Sequence, residues 1–180
     1  SPNKPAARRV RHSKEPLMAI TTREILNGIR QLERIRSISG GGSVVPTACW
    51  SKAVSSIASS SSCASSAVIE GDLILLNIGD AGVALDKKSG KVAWKSKGMP
   101  SYATPVVFDH KGKRLAAIFS APGLQIVDAG TGRKIDDYDW KTKYNINGAD
   151  PLLIDDRIFI SSGYDRECAM LDFSSGKLKK

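Results

Sequence analysis

The sequence predicts an all-β fold built from a repeated four-stranded unit, and two observations predict it. Short apolar runs follow one another in the larger, C-terminal part of the chain. Leu73–Leu76, Pro105–Phe108, Leu115–Phe119 and Arg157–Ile160 are each too short for a helix and are bracketed by Gly, Asp, Asn or Pro. The second observation is a recurring pattern. Ala84-Leu85-Asp86-Lys87-Lys88-Ser89-Gly90-Lys91 returns as Ile126-Val127-Asp128-Ala129-Gly130-Thr131-Gly132-Arg133 and again as Met170-Leu171-Asp172-Phe173-Ser174-Ser175-Gly176-Lys177. In every copy an apolar residue precedes Asp, three residues follow, and Gly and a basic residue close the pattern. The Asp residues are 42 and 44 positions apart, and so are the Gly residues. A four-stranded unit with a period of about 40–45 residues is the spacing of β-propeller blades.

Taken in chain order, residues 1–16 are polar and basic, and Arg8, Arg9, Arg11, His12 and Lys14 give them nothing to bury. Thr21 and Glu24 fit a capping box, and Ile25, Ile29, Leu32 and Ile35 recur at helical spacing. A helix over 22–38 is expected, ended by Gly40-Gly41-Gly42. Residues 51–66 hold nine serines and read as a linker. Residues 1–65 are therefore expected to be a basic, partly helical, Ser-rich and partly disordered extension. Residues 66–180 carry the repeat as blades over 66–95, 104–138 and 149–180.

Within each unit the expected order is strand, turn, strand, turn, strand, Asp/Gly turn, strand. Ala67-Val68-Ile69, Pro105-Val106-Val107 and Pro151-Leu152-Leu153 open the three copies. The Asp can accept bonds from turn amides just beyond it, and the Gly supplies positive φ. This assigns Asp86, Asp128 and Asp172, with Gly90, Gly132 and Gly176, a structural role. A ring of blades needs about four to eight members. About three blades read as a partial propeller, whose partners are the remaining blades or other protein subunits.

The chain has 180 residues, 41% of them hydrophobic, and a formal charge of +9. Residues 1–70 hold ten Lys/Arg against four Asp/Glu, and residues 71–180 seventeen against fourteen. The charge excess thus lies mostly outside the repeat. It suits weak contact of residues 1–38 with an anionic surface, and no specific nucleic acid is predicted. No apolar run approaches the ~20 residues of a membrane-spanning helix. No secretion signal is read near the start. Cys49, Cys63 and Cys168 have neither disulfide-framework nor zinc spacing.

Asp86, Gly90-Lys91 and Trp94 together resemble the pyrroloquinoline-quinone-like (PQQ-like) β-propeller repeat. That repeat has an apolar pair, Asp, a short turn, Gly-Lys and a Trp three residues on. The second copy keeps Val127-Asp128 and Gly132-Arg133 but has Asp136 where the Trp falls. The stretches Trp140–Tyr144 and Phe159–Tyr164 look most like large bacterial proteins of this class, common in planctomycetes. The resemblance implies a bacterial cell-envelope or periplasmic setting. It covers both quinone-dependent alcohol dehydrogenases and non-enzymatic propellers, such as the lipoprotein scaffold of the bacterial outer-membrane assembly machinery.

For an enzyme of this family the resemblance implies bound PQQ, calcium held by carboxylate and amide oxygens, a catalytic Asp, a stacking Trp and usually a vicinal Cys pair. The chain has no vicinal Cys pair. Asp136, Asp137 and Asp139 form its one dense carboxylate group and read as a solvated strand edge; Asp155-Asp156 reads as a hairpin turn. His12 and His110 stand in no nucleophile–base arrangement, and no phosphate or dinucleotide fingerprint occurs. No catalytic residue, cofactor or metal ligand is expected. The expectation is a non-catalytic binding or assembly scaffold, with a piece of a PQQ-dependent alcohol or sugar dehydrogenase as the alternative. The candidate partner contact is the loop after the second blade: Trp140, Lys141, Lys143, Tyr144, Asn145 and Asn147; the plainer alternative is that Trp140 and Tyr144 pack between blades.

Overall fold

The computed structural model describes residues 65–180. The helix expected over 22–38, the glycine run, nearly all of the Ser-rich tract, His12, Cys49 and Cys63 lie outside the described residues.

Eleven strands form three antiparallel meanders, with no helix among the described residues. The first blade holds β1 (Val68–Glu70), β2 (Leu73–Leu76), β3 (Val83–Asp86) and β4 (Val92–Lys95). The second holds β5 (Val106–His110), β6 (Lys113–Ser120), β7 (Gly123–Asp128) and β8 (Lys134–Asp139). The third holds β9 (Leu152–Ile154), β10 (Arg157–Ser162) and β11 (Glu167–Asp172). A single antiparallel bridge, Asp172–Lys179, lies where the other blades have a fourth strand. Every sheet pairs its strands in sequence order. This is an all-β partial β-propeller, as the repeat predicts.

Strand alternation explains the stacking. Successive side chains of a strand point to opposite faces, so a blade between two others must be apolar on both. β6 is buried from Leu115 to Ser120 for this reason. Its Ala116 and Ile118 pack with Leu75 and Ala84 of the first blade. Its Leu115, Ala117 and Phe119 pack with Ile158, Ile160 and Leu171 of the third. β7 divides likewise, with Val127 in the first cluster and Leu124 and Ile126 in the second.

The third blade meets the second with Leu153, Ile158, Ile160, Ala169 and Leu171. On its far face Leu152, Ile154 and Met170 are exposed.

Meander topology sends the connections to two opposite ends. The β1–β2, β5–β6 and β9–β10 turns share one end with the Asp/Gly turns; this is the turn face. The β2–β3, β6–β7 and β10–β11 turns share the other end with the inter-blade links 96–105 and 140–151; this is the loop face.

Candidate functional site

The repeat motif closes a turn on its Asp carboxylate in all three copies, with Gly90 N and Gly132 N donating to the Asp carbonyl but Gly176 N to Phe173 O. Asp86 Oδ1 accepts from Ser89 N at 2.7 Å and from Lys88 N at 3.1 Å. Asp128 Oδ1 accepts from Thr131 N at 2.9 Å, and Asp172 Oδ1 from Ser174 N at 3.0 Å. The hydroxyls of Ser89, Thr131 and Ser174 donate to the same carboxylates. Gly90, Gly132 and Gly176 have φ of 70°, 69° and 80°, the left-handed region where glycine carries no penalty. These bonds hold all three carboxyls below their ordinary pKa. The chemistry of the turn is conformational.

Trp94 carries the seam between the first two blades. Its Nε1 donates to Ala129 O at 3.2 Å, and its ring lies where a Cβ on Gly132 would stand, 2.5 Å from Cδ2. At the next seam Asp136 occupies the corresponding place, opposite Ile126 as Trp94 is opposite Ala84. It pairs with Lys177 Nζ at 3.0 Å, and its Oδ2 accepts from Leu178 N at 2.6 Å. A charged clamp thus replaces the indole. The solvated edge expected of Asp136, Asp137 and Asp139 needs correction at this residue: Asp136 is largely covered by the next blade. Asp137 and Asp139 are exposed, and each pairs on the surface, with Lys134 and Lys141.

The loop after the second blade divides into interior and surface. Trp140 is buried; its Nε1 donates to Ser162 Oγ at 3.0 Å, and the Arg166 guanidinium lies 4.7 Å from its ring centroid. Asn147 is buried and ties the blades together. Its Nδ2 donates to Ser120 O at 2.8 Å and Trp140 O at 3.2 Å, while its Oδ1 accepts from Ser162 Oγ at 2.6 Å. Its backbone exchanges bonds with Ser101 and accepts from the amides of Tyr102 and Ala103.

Lys141, Lys143, Tyr144 and Asn145 are exposed. Tyr144 meets Tyr164, from the β10–β11 turn, edge to face at 4.9 Å between centroids, and Lys143 Nζ lies 5.5 Å from the Tyr144 ring. Tyr164, Asp165 and Glu167 all have positive φ, at 61°, 64° and 63°. A bulky residue held there while its ring stays exposed is an unusual expense. Sequence reasoning missed Tyr164 and Arg166 as members of this cluster. The available signal was an aromatic residue directly after Gly163 at a hairpin tip, where Asn, Asp or Gly is favoured.

The described carboxylates do not fit a calcium–quinone site. Asp86, Asp128 and Asp172 close their own turns, and Asp136 bridges two blades. Among the described residues no group of three or more His, Cys, Asp or Glu converges as metal ligands. His110 is buried against Phe173 and lies 3.6 Å from Asp156; Cys168 is free and exposed.

No family model and no curated protein matches the chain. Solved structures do. BamB from Moraxella catarrhalis is similar at TM-score 0.51 and 21% identity, over 66% of this chain and 36% of that one. A europium-containing methanol dehydrogenase gives TM-score 0.45 and 15% identity over 62% of this chain and 23% of its own, a looser likeness that carries no inference. The chain thus spans little more than a third of the length of the BamB structure it matches. What it shares with that structure is the fold, that of β-propeller blades.

Proposed function

We propose that these blades act as a non-catalytic scaffold that holds a protein partner on the loop face. The observation that carries this reading is the exposed Tyr144–Tyr164 pair with Lys143 beside it and Arg166, from the same turn as Tyr164, over Trp140. Exposed Tyr on a strained but anchored backbone is costly for stability alone. Aromatic rings beside cations are the residue types enriched where proteins dock. Trp140 and Asn147 serve this surface from beneath, by fixing the link and the β10–β11 turn against each other.

A second part of the reading is assembly. The exposed Leu152, Ile154 and Met170 form the kind of face that every blade here buries against a neighbour, so a further blade is its natural cover.

Photo-crosslinking from position 144 in cells tests the loop face. A discrete adduct that disappears with Tyr164→Ser, and that does not form from Lys113 on the opposite face, is expected. Adducts of equal yield from both faces would remove the proposal. Turnover of alcohols with dye reduction, after addition of PQQ and calcium, would replace it with the dehydrogenase reading.

A further inference from the structure

The blades separate their charge by face. The turn face gathers twelve Lys/Arg against eight Asp/Glu; the loop face has five of each. The two remaining carboxylates, Asp136 and Asp137, lie within β8 and pair with Lys177 and Lys134, two of the twelve. The whole positive excess of the described residues therefore sits at one end of the sheets.

The pairing on that end is uneven. Asp72 is taken by Lys87 and Lys88, and Glu70 and Asp109 by Arg114. Lys91, Lys111, Lys113 and Arg133 are exposed and enter none of the ion pairs among the described residues. Lys111 also holds φ of 50°, a conformation in which Asn, Asp or Gly would be less strained. Two of the four, Lys91 and Arg133, follow the motif glycine, so the repeat itself lays down the basic positions.

The aromatic distribution narrows the partner. Tyr144 and Tyr164 are exposed on the loop face, whereas Phe173 and His110 at the turn face are buried. Among the described residues the turn face thus offers no exposed aromatic platform for stacking bases, although Ile69, Val92 and Ile154 are exposed beside its turns. What remains is a set of exposed cations on the turns, outside the ion pairs among the described residues, which suits a surface of phosphate headgroups recognised mainly by charge.

We infer that the turn face adsorbs to an anionic phospholipid surface, leaving the loop face turned away from it. Binding by this face is separable from any attraction due to net charge or to the basic residues 1–38. Two double substitutions change the charge equally: Lys91→Glu with Lys113→Glu on the turn face, and Lys95→Glu with Lys97→Glu on the loop face. A third, Arg8→Glu with Arg9→Glu, probes the N-terminal segment. The full chain is sedimented with phosphatidylcholine vesicles alone and with vesicles containing about a third phosphatidylglycerol.

Binding to the anionic vesicles only, lost at high salt, is expected. The turn-face double should weaken it by at least about 25-fold, since each lysine near an anionic surface contributes roughly a factor of five. The loop-face double should change it less than about threefold, with all melting temperatures alike. The proposal is overturned if the unsubstituted chain ignores anionic vesicles, if the loop-face double weakens binding as much as the turn-face double, or if only the Arg8/Arg9 double does. It is also overturned if duplex DNA at matched phosphate concentration displaces the chain from vesicles and binds in a turn-face-dependent way, which would assign the surface to nucleic acid.

Discussion

Two glycines at the same place in the repeat make different demands. Gly132 and Gly176 share positive φ, but only Gly132 lies against an indole; a Cβ on Gly176 would come no nearer than 3.9 Å to His110 Nε2. Gly176→Ala should therefore cost only the left-handed backbone term, about 1–2 kcal/mol. Gly132→Ala should add overpacking against Trp94 and cost about 3 kcal/mol or more. Denaturant unfolding of the two variants reads the difference directly. The residue that replaces the indole at the next seam makes the second case. Asp136→Ala removes the Lys177 pair and leaves the Leu178 amide without its acceptor. Because Lys177 is largely exposed, most of the expected loss of about 1.5–2 kcal/mol belongs to the amide bond. Lys177→Ala alone should then cost under about 1 kcal/mol.

At the scale of the element, the Asp/Gly turn is a carboxylate-closed loop, and its stability follows the carboxylate. Asp86, Asp128 and Asp172 titrate below their ordinary pKa in the folded chain. A group whose folded pKa is depressed contributes stability above its unfolded value, near 3.9, and loses it as pH falls through the folded value. Melting temperature should hold from neutrality to about pH 5 and fall below about pH 4. Replacing the three by Asn should lower the neutral-pH melting temperature and flatten the acid limb. An acid limb as steep as before would place the acid sensitivity elsewhere. These turns and their strands were legible in the sequence because a repeat prints the same local chemistry three times. The loop 140–151 was not. Packing between blades is the plainer expectation for Trp140 and Tyr144, and only Trp140 is buried; Asn147 has the composition of a contact surface, and nothing periodic around it says that its side chain turns inward. Asn147→Ala tests that interior role: it leaves several buried partners unsatisfied, and a loss of about 2–3 kcal/mol is expected in equilibrium unfolding.

At the scale of the molecule, the blades form a stack with unequal surfaces. The middle blade is covered on both faces, and its β6 contains an uninterrupted buried run. The third blade is covered on one. Its β9 reads exposed, half-buried, exposed, and Met170 on β11 stands across Phe159 from Leu152. Such a face repeats the alternation by which the neighbouring blades bind each other, with nothing among the described residues stacked on it. Repeat units gain their stability from these stacking interfaces, so an open one attracts a further blade or a second copy. Sedimentation velocity of the full chain should show concentration-dependent association. Leu152→Ser, Ile154→Thr and Met170→Thr together should abolish it while changing monomer stability by less than about 1 kcal/mol, because exposed apolar side chains contribute little to the fold that exposes them. A triple variant that associates as before would move the contact to another surface. One that melts much earlier would show that this face is already packed within the chain.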